Sequence, residues 1–327
     1  MWDTRQGGQP QEGAAWAALR GLRRRGDLLA LAMLVNLGLL YLCQTVVAWG
    51  VVWLLRRVGA GAGLVELANE LYTLVVYLAV FLPPYLLYAR VCRLPLGQLP
   101  AARPYLPVLA AGLGVTMGMS ASAFLPGQAM NLFFSFFGLY PMDMPLALPG
   151  NPVAAVLFVV NLVLLPALVE ELIFRGIVLE SLRPWGDGFA VGVSALLFAL
   201  LHRNTAQFPN ALFMGLALGY FVVQTGSLWT GVCIHMANNA FILALSVPSQ
   251  WMGPLGQLAV QGFQIGCYGV AGIVGVWYLW RRGLDLRLPA SGCPLRQRTC
   301  FAEYLARPST LVLLAAFLLV FFQNFSR

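Results

Sequence analysis

Three short groups of polar residues lie inside or beside long apolar segments and could carry out acid–base chemistry. They are Glu170-Glu171-x-x-x-Arg175, Phe198-x-x-x-His202 and His235-x-x-x-Asn239. Carboxylates and imidazoles accept and donate protons in catalysis. Polar donors such as imidazole and amide groups can stabilise a developing negative charge. The three groups therefore contain the parts of a general acid–base site.

Helical geometry separates the two adjacent acids. Glu171 and Arg175 are four residues apart with the acid first, an order that favours an ion pair along a helix. Glu170 lies about 100° further round the helix and is less well placed for the same bond. A carboxylate left over in an apolar segment is a candidate general base.

The two histidines of the chain, His202 and His235, both lie at or beside the ends of apolar runs. Taken singly, each could be structural and bond a carbonyl on a neighbouring helix, and the Glu171–Arg175 pair could be an interhelical staple. Ionisable residues within membranes are rare and functional by default. Because these groups occur together in one part of the chain, the functional interpretation is favoured.

Composition indicates the elements that must position these residues. The 327 residues are 60% hydrophobic and only 10% charged, whereas soluble domains average about 25% charged residues. The pattern predicts an all-α, polytopic transmembrane helical bundle of about eight spans with a possible ninth. The candidate spans are 28–55, 71–88, 105–125, 153–179, 189–201, 208–223, 228–247 and 255–280, with the short run 311–322 as the ninth.

The arginines predict how the chain is oriented. The net charge is +8 and every basic residue is an arginine, and the arginines flank apolar runs, which fits membrane topology and anionic lipid better than nucleic acid. Their distribution predicts a cytoplasmic N-terminus with loop 126–152 on the far side, although Arg56 and Arg57 oppose it. The all-arginine composition favours a bacterial inner membrane.

The predicted organisation has three parts. Residues 1–27 form a cytoplasmic polar arm, residues 28–280 form the transmembrane bundle with the polar groups in 150–247, and residues 281–327 form a basic loop and a short apolar segment. One geometric conflict follows from these spans. Glu170 would lie near the cytoplasmic end of its span and His202 near the opposite side, so they can meet only if the 189–202 segment starts outside the membrane core, tilts, or is a partial span.

The three groups, in this order and about thirty residues apart, resemble the CPBP family of intramembrane proteases. This family includes the type II CAAX prenyl endopeptidases and bacteriocin-processing or self-immunity proteins. The resemblance implies that Glu170 and His202 activate the attacking water. It also implies that His235 and Asn239 hold the oxyanion, with Glu171, Arg175 and Phe198 in support.

The resemblance leaves the cofactor and the substrate open. Zinc could be held by Glu170, His202 and His235, a ligand set found in some catalytic zinc sites. Metal-free catalysis is favoured because the histidines lie on different segments and no H-E-x-x-H motif occurs. The expected substrate is a membrane-embedded or membrane-tethered peptide or protein, such as a prenylated CAAX chain or a bacteriocin leader. The alternatives are a non-catalytic immunity or scaffold protein and a transporter with a proton relay, which would show internal repeats.

Overall fold

The computed structural model describes residues 9–141, 147–205, 207–283, 287–289, 292–323 and 325–326. The helices are α1 (Gln9–Leu42), α2 (Ala48–Arg57), α3 (Ala62–Val91), α4 (Leu106–Ser122), α5 (Phe124–Ser135), α6 (Pro152–Val159), α7 (Leu165–Glu171), α8 (Glu180–Leu182), α9 (Asp187–Leu201), α10 (Phe208–Thr225), α11 (Leu228–Ser249), α12 (Pro254–Arg281), α13 (Gln297–Leu305) and α14 (Pro308–Gln323). Segments of π-helix cover Cys43–Val47, Val160–Leu164 and Leu172–Leu179, and 3₁₀ turns cover Leu96–Gln98 and Arg183–Trp185.

The architecture is all-α, as predicted. Within the described residues, seven helical segments are long and apolar enough to cross a membrane, or eight if α13 and α14, which are bent by 65°, form one span. The predicted ninth run, 311–322, therefore lies inside α14. The two-residue strands β1 (Tyr140–Pro141) and β2 (Phe325–Ser326) pair antiparallel and connect the loop after α5 with the C-terminal segment.

Three predicted boundaries are wrong. The proposed span 189–201 is the 15-residue helix α9, which is too short to be a candidate span. The fourth span does not end at residue 179 but continues from Pro152 to Trp185. The proposed loop 126–152 is helical as far as Ser135 because α5 continues the direction of α4.

The described residues sort the arginines between the two ends of the bundle. At one end, the Trp185 indole donates to the Ala18 carbonyl at 2.9 Å, and Arg25 donates to the Ser181 carbonyl. This arginine-rich end also carries the end of α3 and the loop paired with Ser227. Arg56 and Arg57 end α2 at the opposite end. Helix α1 begins at Gln9 and runs through the polar arm into the first span. The division of the chain into three parts stays a prediction.

Small residues allow the closest helix packing in the bundle. An added Cβ at Gly118 of α4 would lie 2.7 Å from the Cα of Gly272 in α12, so the two backbones touch. Membrane helices associate largely through close van der Waals packing, because the surrounding lipid is as apolar as their side chains. The α4–α12 pair therefore forms a wall beside α10 and α11, and α11 carries His235 and Asn239.

Candidate active site

The segment Pro152–Trp185, which carries Glu170 and Glu171, is an interrupted helix. Its α-helical pieces are separated by the π-helical segments Val160–Leu164 and Leu172–Leu179, and the second begins directly after Glu171. Such π-helical insertions are frequent at functional sites because they rotate the side chains that follow. The acids thus lie at a local change of helical pitch in the middle of a 34-residue span.

A tight turn brings His202 to the depth of Glu170. Gly186, with φ of 118°, joins the fourth span to α9 in a conformation that favours glycine. Gly186 is sixteen residues from both Glu170 and His202. The two arms of this hairpin are thus each about 24 Å long at 1.5 Å per residue. The conflict raised by the sequence disappears because α9 is a partial span that starts at the arginine-rich end and stops midway.

Glu171 and Arg175 form the ion pair that their spacing predicts. Arg175 Nη1 donates to Glu171 Oε1 at 2.8 Å, and neither side chain is exposed to solvent. His235 Nδ1 lies 3.0 Å from the same oxygen. Glu171 therefore contacts both the guanidinium of Arg175 and the imidazole of His235. The spacing of residues in the sequence predicts the first contact but not the second.

Glu170 is not the isolated carboxylate that the sequence suggests. Tyr77 of α3 donates its hydroxyl hydrogen to Glu170 Oε1 at 2.5 Å. His235 Nε2 lies 3.8 Å from Glu170 Oε2, beyond direct hydrogen bonding. The imidazole of His235 therefore lies between the two acids, with Glu171 on its Nδ1 side and Glu170 on its Nε2 side.

Phe198 packs against three polar members of the cluster. Its ring centroid lies 4.6 Å from Arg175 Cζ, 4.8 Å from the His202 ring and 6.0 Å from the His235 ring. His202 Nδ1 lies 3.0 Å from the Phe198 carbonyl, one helical turn earlier. This bond fixes the imidazole orientation and leaves Nε2 for another partner.

Asn239 lies one turn after His235 on α11. Its Nδ2 donates to the Leu162 carbonyl at 3.1 Å, and the amide keeps a second N–H. The neighbouring Asn238 is buried and accepts the Tyr268 hydroxyl hydrogen at 2.8 Å. Asn239 is therefore fixed by a π-helical carbonyl of the fourth span, and Asn238 by α12.

A cavity of about 340 Å³ joins several of these groups. Glu170 and His202 both line it, together with Tyr77, Phe174 and Phe198. It opens between the fourth span, α3 and the first span, whose Gln44, in the π-helical segment Cys43–Val47, also lines it. The structure thus brings Glu170 and His202 to one shared space, whereas His235 and Asn239, both on α11, are not among the residues that line it.

Tyr77, Gln44 and Arg203 also line the cavity, and none of them belongs to the three polar groups of the sequence. Tyr77 is one of eleven tyrosines, and Gln44 is one of two amide side chains in the apolar run 28–55. Arg203 directly follows His202 and has a left-handed backbone with φ of 51°. Adjacency to His202 is the one signal that could have pointed to Arg203.

The donor atoms do not converge as a three-ligand zinc site requires. His235 Nδ1 is taken by Glu171, and its Nε2 is 3.8 Å from Glu170 Oε2. Among the described residues, no group of three or more His, Cys, Asp and Glu side chains is placed to hold a metal ion. The zinc alternative through Glu170, His202 and His235 therefore gains no support from this geometry.

The fold and the cluster define a multi-pass α-helical membrane protein with an acid–imidazole site in its interior. Residues 152–241 match the family model described as type II CAAX prenyl endopeptidase Rce1-like, and all three polar groups lie in that range. This match over 152–241 is consistent with the CPBP family and, at family level, supports a CAAX-type intramembrane endopeptidase. No curated protein and no solved structure gives a significant match.

Proposed function

We propose that this protein hydrolyses a peptide bond of a membrane-associated substrate with a water molecule activated by Glu170 and His202. The observation that carries the proposal is that both side chains line one cavity in the interior of the bundle. Glu170 takes a proton from the water, and His202 orients the water through its free Nε2. Tyr77 holds the Glu170 carboxylate in place.

His235 and Asn239 supply donors for the negatively charged oxygen that forms during attack. Glu171 Oε1 holds His235 Nδ1 at 3.0 Å and so directs Nε2 toward Glu170; both ring nitrogens are donors in the imidazolium form. The second N–H of Asn239 is the other donor. Donors that are already oriented stabilise developing charge strongly when bulk water is excluded. The proton held by Glu170 then passes to the leaving amine.

The proposed reaction needs no metal, because its acid, base and oxyanion donors are all side chains of the chain. The substrate is a membrane-embedded or membrane-tethered peptide or protein, of the prenylated CAAX type or the bacteriocin-leader type. The non-catalytic immunity or scaffold alternative is not favoured, because all four side chains Glu170, His202, His235 and Asn239 are present.

The test compares the membrane peptides of cells that contain the wild-type protein with those that contain Glu170→Gln. New peptide termini should occur with the wild type and be lost with Glu170→Gln. Glu180→Gln is the matched control, since it changes another acid of the same span that contacts Arg183 at the arginine-rich end. Identical termini in wild type and Glu170→Gln would refute the assignment of Glu170. Loss of activity on chelation, restored by zinc, would refute the metal-free reaction.

A further inference from the structure

Glu70 is a buried acid of α3 that the proposed reaction does not use. Its carboxylate accepts a hydrogen bond from Asn69 Nδ2 on Oε1 at 3.2 Å and one from Asn161 Nδ2 on Oε2 at 2.8 Å. The ion pairs formed by the described residues do not include Glu70. An ionisable side chain within a membrane span is costly to bury, and such residues usually have a function.

Asn161 connects Glu70 to the fourth span. It is buried in the π-helical segment Val160–Leu164. Its Nδ2 donates to Glu70 Oε2 at 2.8 Å and to the Glu70 backbone carbonyl at 3.0 Å. Because both the side chain and the backbone of Glu70 accept from this amide, the π-helical segment is held at one depth and one rotation against α3.

The next residue, Leu162, presents the carbonyl that anchors Asn239. In an uninterrupted α-helix this carbonyl would accept a hydrogen bond from the N–H of residue 166. Residue 166 is a proline and has no N–H. Asn239 Nδ2 supplies a donor to the carbonyl at 3.1 Å. The position of the Asn239 amide therefore follows the position of the segment that Asn161 fixes.

Helix α3 also holds Glu170 from the same face. Tyr77 is seven residues after Glu70, about two helical turns further along, and its hydroxyl donates to Glu170 Oε1 at 2.5 Å. The helix thus contacts the fourth span at two levels. One contact holds the base of the proposed reaction, and the other holds the segment that anchors Asn239.

We propose that Glu70 is a positioning residue, which holds the Asn239 amide in place through Asn161 and the Leu162 carbonyl. The proposal rests on the proposed function for the role of Asn239 as a donor to the negatively charged oxygen. Glu70 acts as a hydrogen-bond acceptor and neither contacts the substrate nor moves a proton. The reaction therefore requires an acceptor oxygen at this position and does not require a charge.

The experiment measures kcat and KM in proteoliposomes with a synthetic peptide that spans a bond cleaved by the wild type in the comparison of membrane peptides. Glu70→Met removes the acceptor. It should lower kcat about tenfold, less than the loss expected when an oxyanion donor is deleted outright. KM should stay unchanged, because Asn239 acts on the transition state. Glu70→Gln keeps an acceptor oxygen and should stay near the wild-type rate.

Glu66→Met is the matched control. Glu66 lies one turn before Glu70 on α3, and its Oε2 accepts from the backbone N–H of Asn151 at 2.7 Å. This bond is made to the start of the fourth span and not to its π-helical segment. Both kcat and KM of Glu66→Met should therefore match the wild type.

A double-variant cycle separates positioning from general stability. In the Asn239→Ala protein no amide is left to position, so the addition of Glu70→Met should lower kcat no further. The unfolding temperature in detergent gives a measurement that does not depend on turnover. The shifts caused by Glu70→Met and Asn239→Ala should be less than additive, because both changes break one chain of hydrogen bonds. If Glu70→Met does not insert, Asn161→Leu breaks the same bond from the other side and replaces it in the cycle.

A loss of kcat in Glu70→Gln equal to that in Glu70→Met would overturn the proposal, because the carboxyl group itself would then be required as a charge or a proton carrier. An equal further loss in the Asn239→Ala background would overturn it as well, and so would an equal loss in Glu66→Met. Absence of proteolysis by the wild type, with unfolding shifts that are still less than additive, would instead refute the proposed function and leave the link from Glu70 to Asn239 supported.

Discussion

His235 Nδ1 lies 3.0 Å from Glu171 Oε1, the oxygen that also accepts the hydrogen bond from Arg175. This relationship joins the ion pair of the fourth span to the imidazole of α11. The pair therefore does more than neutralise a buried arginine, because it fixes which nitrogen of His235 faces Glu170. Stability and activity should consequently respond differently to changes at these residues.

Glu171→Gln and Arg175→Met should each lower the free energy of unfolding in detergent. Removal of one partner of a buried pair typically costs about 3–5 kcal/mol because the other charge is left without a counter-ion. The double variant should recover much of that loss, with a coupling energy of about 1 kcal/mol or more. Its proteolysis should stay low, because His235 has lost its carboxylate partner. Thermal unfolding of the four proteins, beside their cleavage rates, checks this. Coupling of Arg175 to Glu170 instead would show that the roles of the two acids are reversed.

Glu170→Gln and His202→Ala should each slow proteolysis about 100-fold or more, because a general acid or base typically contributes at least that factor to the rate. Neither change breaks a fully buried ion pair, so the unfolding temperature should move little. The measurement is cleavage by purified protein in proteoliposomes, with insertion checked by protease protection. Near-wild-type cleavage by purified Glu170→Gln would contradict its assignment as the base.

Tyr77→Phe should slow hydrolysis about tenfold, since a hydrogen bond to a charged group contributes about 1.5–3 kcal/mol. The lost hydroxyl is the one that holds Glu170 Oε1. Tyr88→Phe is the control, because Tyr88 lies on the same helix and its hydroxyl pairs with Ser181 at 2.8 Å, outside the cavity. Steady-state rates for both variants decide, and an equal loss in the two would assign Tyr77 a purely structural role.

Gly231→Ala should reduce both stability and activity. An added Cβ at Gly231 would lie 2.6 Å from Glu171 Oε2 and 2.8 Å from Val222 Cγ2, so Glu171 must move away from His235. Gly38→Ala is a helical control with nothing within 4 Å of the added Cβ, and alanine there should be neutral or stabilising. Unfolding temperature and cleavage rate are measured for both. Unchanged activity in Gly231→Ala would mean that the Glu171–His235 contact is dispensable.

A cysteine placed at Ala147 should be labelled from outside the cell, and one placed at Ala14 only from the cytoplasm. The reason is the excess of arginine at the end of the bundle that carries the N-terminal part of α1, which predicts a cytoplasmic location. Both positions are exposed. Ala14 lies at the start of the first span, and Ala147 lies just before the start of the fourth span, at the opposite end of the bundle. Membrane-impermeant maleimide, applied to intact cells and to inverted vesicles, distinguishes the two sides. The reverse pattern would invert the topology.

The sequence alone determined the class of the protein and the identity of its polar groups. Long apolar segments with few charges are expected to be helices in a bilayer, because a helix lets each backbone donor and acceptor find its hydrogen-bond partner within the segment. The Glu171–Arg175 pair was also predictable, because a spacing of four residues along one helix is a local property.

The sequence could not determine where the fourth span ends. Glu180, Arg183 and Asp187 look like the polar residues of a loop, yet Arg183 bonds to both acids and the helix runs on to Leu182 before a 3₁₀ turn. That continuation, with the turn at Gly186, moves Glu170 to mid-span and returns His202 to the same depth. Helix ends of this kind depend on pairing among side chains and on packing between segments.

Only the tertiary structure decided which groups meet. Tyr77 reaches Glu170 from a helix 93 residues away, and His235 reaches Glu171 across 64 residues. Arg203 and Gln44 become neighbours across 159 residues. Such contacts depend on the depth and rotation of each helix, which are set by packing over the whole bundle. Residue spacing along a single chain specifies the face of one helix but not the partner that this face meets.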